Sequence, residues 1–112
     1  MEITVERREN IAIVSIAGSV DGLTSADLSA AFREELGGGR VRLIGDFAGV
    51  DYTSSAGLRA LLETVKETRR RGGDLRLAAV RPEVLRVLEL SGFTGILKLY
   101  ADVQAAADSF PA

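Results

Sequence analysis

A chain of 112 residues fits one compact domain, expected to span 1–112, and can bury a core without metals or disulfides. Its formal net charge of -2, from Lys+Arg 14 against Asp+Glu 16, lacks the basic field that binding nucleic acid requires. With neither cysteine nor histidine, disulfides, thiolate chemistry, Cys/His zinc sites and Ser-His-Asp triads are excluded.

The chain begins with an alternating segment, 2–8, in which Ile3 and Val5 lie on one side and Thr4 and Glu6 on the other, as in a half-buried strand. This N-terminal stretch lacks the apolar core of a signal peptide, and no segment approaches the roughly 20 apolar residues of a membrane span. A cytoplasmic protein without a membrane partner is expected. Glu9-Asn10 reads as a tight turn into a second strand, 11–17, and the two should form a hairpin. Residues 18–23 read as a loop. Thr24 is placed to cap a helix, with Asp27 as the returning acid of a capping box, and Leu28, Ala31, Phe32 and Leu36 form its apolar stripe. Gly37-Gly38-Gly39 end that helix. A third strand is expected over 41–47, a loop over 48–54, and then a long helix with Leu58, Leu61, Leu62 and Val65 on one face. The run Arg69-Arg70-Arg71 completes the negative end of its dipole. After Gly72-Gly73 come a fourth strand, 75–80, and a helix opened by Pro82 with Val84, Leu85 and Leu88 inward and Gly92 as its stop. A fifth strand, 96–100, precedes a last helix capped by Asp102, with Val103, Ala106, Ala107 and Phe110 buried.

The order β-β-α-β-α-β-α-β-α predicts an α/β fold: a mixed, mostly parallel five-stranded sheet with four helices. Arg42 and Arg76 each sit between apolar strand neighbours. A sheet covered on both faces would be apolar on both, so the helices are expected mainly on one side, with the other partly wet.

Catalytic readings find no support. Ser54-Ser55-Ala56-Gly57 is not a G-x-S-x-G elbow and has no histidine base. Gly37-Gly38-Gly39 precede a strand, so they are no phosphate loop. Asp46 and Asp51 flank one loop, but a receiver domain would also need paired acids after an early strand and a late lysine; Asp21 is alone and Lys98 lies within its strand. No enzyme activity, metal or cofactor is expected. There remains Tyr52-Thr53-Ser54-Ser55-Ala56-Gly57-Leu58-Arg59, beyond the carboxyl end of a strand, where α/β sheets place their sites. Its hydroxyls read equally as a helix cap or as a functional loop.

The stretch from Asp46 to Leu62 (DFAGVDYTSSAGLRALL) resembles the signature of STAS domains, specifically bacterial anti-sigma factor antagonists, which read approximately D-L-S-x-V-x-F-x-D-S-S-G-L-x-x-L-L. Gly18-Ser19-Val20-Asp21 with Thr24 is similar to the family's G-x-x-D loop, and Leu88 to Phe93 to its L-x-x-S-G-[LF] block. The resemblance implies the STAS fold and partner switching. An unphosphorylated antagonist binds an anti-sigma factor that is also a serine kinase of the histidine-kinase-like ATPase type, freeing sigma factor. Phosphorylation breaks the complex and a PP2C-type phosphatase restores it. Alignment on Gly57-Leu58 puts the acceptor at Ser55, with Asp21 as the neighbouring loop acid. Ser54 stands where the family has an acid and Ala56 where it has a second serine, which leaves Ser54 as an alternative acceptor or the site silent. The implied partner surface is Asp21, Tyr52, Thr53, Ser54, Ala56, Gly57, Leu58 and Arg59, with the loop 18–23, and Phe93 and Thr94 as candidates to extend it. A monomer is expected. The competing readings are a non-switching STAS scaffold, as in a stressosome or a lipid transporter, and a small-molecule-binding α/β domain.

Overall fold

The computed structural model describes residues 1–111; Ala112, the last residue of the expected domain, lies outside them. The elements are β1 (Glu2–Arg8), β2 (Ile11–Val20), α1 (Ser25–Gly37), β3 (Arg42–Thr53), α2 (Ser55–Arg70), β4 (Asp74–Ala78), α3 (Pro82–Leu90), β5 (Lys98–Tyr100) and α4 (Val103–Asp108), with a short 3-10 turn at Phe93–Gly95. The strands lie in chain order, β1-β2-β3-β4-β5. The β1–β2 hairpin is antiparallel and every other pair parallel, as the alternation of strand and helix implies.

Strand periodicity sorts the side chains into two layers. Ala12, Val14, Ile16, Leu43, Phe47, Leu75 and Leu77 face α1, α2 and α3, meeting Leu28 and Phe32, Leu61 and Val65, and Val84 and Leu88. The alternate residues Ile13, Ile44 and Ala78 face Ala106 of α4 and Phe110, which lies beyond the end of that helix rather than on it as expected. Three helices thus share one face, as expected, but the opposite face is not wet at Arg76, while Arg42 is half-buried. Arg76 is buried. Its guanidinium carbon lies 4.1 Å from the Phe110 ring centroid, and it donates to Asp74 Oδ2 at 3.0 Å and to Ser109 Oγ at 2.6 Å. Arg42 donates to the Pro111 carbonyl at 2.7 Å. Both arginines hold the C-terminal segment onto the sheet, an arrangement their strand neighbours do not encode.

The first strands run further than their apolar stretches. β2 continues to Val20 and β3 to Thr53, paired to each other past two irregularities, between Ser15 and Ala17 and between Gly18 and Ser19. The β3–β4 pairing ends at Asp46↔Ala78, so the rest of β3 has β2 as its neighbour on one side only and carries polar residues. The segment 48–54, expected as a loop, is therefore mostly strand. β5 starts at Lys98 rather than 96, because Leu97 N–H is turned back to the Phe93 carbonyl at 2.8 Å. Pro82 opens α3, and Asp102 caps α4 by accepting from Ala105 N–H at 2.8 Å. Glu35 of α1 is buried and accepts from Arg7 Nε and Nη2, each at 2.9 Å, and from Arg40 Nε at 2.8 Å, fastening β1 to the helix layer.

Candidate functional site: the mouth of the second helix

Where β2 and β3 end side by side, the chain turns directly into α2. Ser54 N–H donates to the Val20 carbonyl at 2.8 Å, closing the parallel pair, and its side chain accepts from Gly57 N–H at 3.2 Å. Ser54 is thus the helix cap, with extended backbone, and is half-buried. Ser55 follows as the first helical residue, exposed, its hydroxyl unbonded among the described residues. One serine performs the local structural task, and the other projects freely from a helix N-terminus whose remaining N–H groups and dipole favour negative charge.

Gly57 explains how closely α2 sits on the strands. A Cβ there would collide with Thr53 Oγ1 and lie 2.8 Å from Val20 Cγ1. Thr53 and Gly57 are buried and support the site from below, while Leu58 is half-buried and packs against the core. What faces outward is Tyr52 (52% exposed), Ser55 and Arg59, with half-buried Ser54 and Ala56 between.

The neighbouring loop is organised by Asp21. Its Oδ1 accepts from Leu23 N–H and Thr24 N–H, each at 2.9 Å, while Thr24 Oγ1 accepts from Asp21 N–H at 2.8 Å and donates to the Ser19 carbonyl at 2.9 Å. Thr24 does occupy the cap position of α1, but the expected capping box with Asp27 does not form, because the hydroxyl is turned into the loop. The Thr24 N–H above all, then the Leu23 N–H and the Thr24 hydroxyl, hold the Asp21 carboxyl below its ordinary value. Asp21 is an anion that shapes the loop. Alongside, Ser19 Oγ donates to Asp51 Oδ1 at 2.8 Å, tying the last residues of β2 and β3.

Within the loop 18–23, already expected on this surface, Leu23 is the most prominent apolar side chain, 87% exposed. One residue at this end escaped the sequence reading: Met1 packs its backbone against Gly18 while remaining 39% exposed, and the sequence offers no signal for it. Conversely, Phe93 and Thr94 do not extend the surface. They lie by Ile96, whose carbonyl accepts from Arg69 at 2.6 Å near the far end of α2, about 20 Å from Ser55 at 1.5 Å per residue. A shallow groove of about 310 Å3 runs from the site between α1 and α2, lined by Gly22, Ser25, Ala26, Ala56, Arg59 and Ala60. The larger hollow, about 410 Å3, includes none of Asp21, Ser54 and Ser55. No cluster of acidic residues suited to a metal ion occurs among the described residues, and no helix is long and apolar enough to cross a membrane.

This five-stranded sheet with its helices belongs to a known class of domain. The STAS domain family matches residues 2–106, and the chain belongs to that family. It is 33% identical over 110 residues (98% of this chain, 95% of the relative) to BtrV of Bordetella bronchiseptica, provisionally named an anti-sigma factor antagonist. It is 25% identical over 101 residues (89% and 86%) to the anti-sigma F factor antagonist of Paenibacillus polymyxa. The Bacillus cell fate determinant SpoIIAA, solved in its phosphorylated form, has the same fold at TM-score 0.76 and 19% identity, covering 96% of this chain and 97% of that one.

Proposed function

We propose that this chain is an anti-sigma factor antagonist that works by partner switching. In its unmodified state it docks on an anti-sigma factor of the histidine-kinase-like ATPase type, releasing sigma factor. The kinase transfers the γ-phosphoryl group of ATP to Ser55 Oγ; the serine proton goes to a kinase base and ADP departs. The complex then separates until a PP2C-type phosphatase hydrolyses the ester. One observation carries the reading: the Ser55 side chain is exposed and its hydroxyl unbonded among the described residues, because Ser54 supplies the cap. The names of the relatives point the same way.

The same geometry favours Ser55 over Ser54 as acceptor. Modifying Ser54 would sacrifice the bond to Gly57 N–H, whereas modifying Ser55 disturbs no bond among the described residues. A phosphate adds about -1.5 to -2 charge at pH 7. At the first residue of a helix that charge is compatible with the dipole, so the fold should survive. The cost falls on the complex, through desolvation and repulsion at a face that includes exposed Tyr52 and Leu23. A loss of about 3 kcal/mol would weaken binding more than a hundredfold. Incubating the protein with its kinase and ATP, then sequencing the peptide that spans 54–59, tests the assignment. Phosphate on Ser55 supports it; no phosphate on either serine favours the non-switching scaffold.

A further inference from the structure

We propose that Arg59 is the internal counter-ion of the switch: once Ser55 carries a phosphate, the Arg59 guanidinium folds back along α2 and clamps it. The inference rests on Ser55 being the acceptor and concerns what happens after transfer. Arg33, Arg59 and Arg86 alone among the arginines form neither an ion pair nor a hydrogen bond among the described residues, and of the three only Arg59 lies within about one turn of Ser55. The other arginines are committed, for instance Arg7 and Arg40 to Glu35, Arg69 and Arg76 to Asp74, and Arg81 to the Ala48 carbonyl.

Residues 55 and 59 stand at i and i+4 on one helix face. Helical side chains lean toward the N-terminus, so Arg59 reaches back over the turn that holds Ser55. An anion N-terminal to a cation at this spacing is also the favourable order. A phosphate offers the guanidinium two parallel acceptors, the geometry in which arginine binds strongly. The acids nearby compete poorly. Asp21 already receives the Leu23 and Thr24 N–H groups, and Asp51 receives the Ser19 hydroxyl. Glu63 lies four residues C-terminal to Arg59, in the less favourable order, and forms no ion pair with it among the described residues.

Arg59 also lines the groove that opens beside Gly22 and Ala56. In the unmodified protein its cation is available to a docking partner. In the phosphorylated protein the same cation is occupied, so a single modification adds an anion to the face and withdraws a guanidinium from it.

The test uses the full chain with phosphoserine installed at position 55 by genetic encoding, so it does not depend on any kinase. The second ionisation of the phosphate is followed by 31P NMR in the wild type and in Arg59→Gln. The clamp lowers the wild-type pKa by about 0.3 unit relative to the variant, the size expected of one helical i,i+4 pair. Equal values in the two proteins would overturn it. Unmodified Arg59→Gln should unfold at the wild-type midpoint, which separates loss of the clamp from damage to the helix. If the shift is found but no kinase modifies Ser55, the clamp stands and the proposed switch is what fails.

Discussion

Ser54 and Ser55 are neighbours of the same chemistry with different tasks, and substitution should separate them. Ser54→Ala removes the bond to Gly57 N–H and is expected to cost about 1 kcal/mol in urea unfolding. Ser55→Ala removes no bond among the described residues and should stay within about 0.5 kcal/mol of wild type. Gly57→Ala is the harsher change. Its methyl group has nowhere to go between Thr53 and Val20, so a loss of roughly 1–3 kcal/mol is expected, with the helix mouth displaced. This part of the site was legible because it is local: hydroxyls beside a glycine before an apolar run describe a cap from sequence alone. Which serine caps was not legible, because that depends on where Val20 on another strand fixes the Ser54 backbone. Thr24 misled for a similar reason. Its hydroxyl was expected in a capping box with Asp27, three residues on, and found a stronger set in Asp21 and the Ser19 carbonyl.

Between elements, the connections that hold the fold are ionic as well as apolar. β1 lies at the edge of the sheet and is largely exposed, so its tie to α1 through Arg7, Glu35 and Arg40 matters more than a surface pair would. The Arg7 hydrogen bonds above all, then Arg40, hold the Glu35 carboxyl below its ordinary value despite its burial. A carboxylate depressed in the folded state stabilises above its unfolded pKa, and that contribution disappears as pH falls through the folded value. Stability should therefore drop with acidification from about pH 5 downward, and Glu35→Gln should flatten that drop while costing roughly 2 kcal/mol at neutral pH, since the arginines it leaves are partly hydrated. Denaturation midpoints measured across that range check both. On the other face, α4 has six residues and cannot persist alone. Phe110→Ala is expected to cost about 3 kcal/mol and to raise amide exchange across Val103–Asp108 first. The α4 stripe was readable from its spacing. The burial of Arg76 was not, because a cation becomes a core residue only when Phe110, Asp74 and Ser109 are brought around it.

At the scale of the molecule, strand and helix alternation was enough to read the element order and the mostly parallel sense of the sheet, whereas the spatial order of its strands and the reach of β2 and β3 beyond their apolar stretches were not. That extra reach carries Asp21 and Ser55 out together at one end of the sheet, and it leaves Phe93 at the other. A switch built this way changes a surface and not a fold. Amide spectra of the phosphoserine-55 protein should accordingly differ from the unmodified protein near residues 19–24 and 52–59 and coincide across the two cores. The most direct measurement is calorimetric titration of an anti-sigma factor kinase from the same genome with the two forms. Tight binding of the unmodified chain and at least a hundredfold weaker binding of the phosphoserine-55 chain is the predicted result. Equal affinity for both forms would contradict the account.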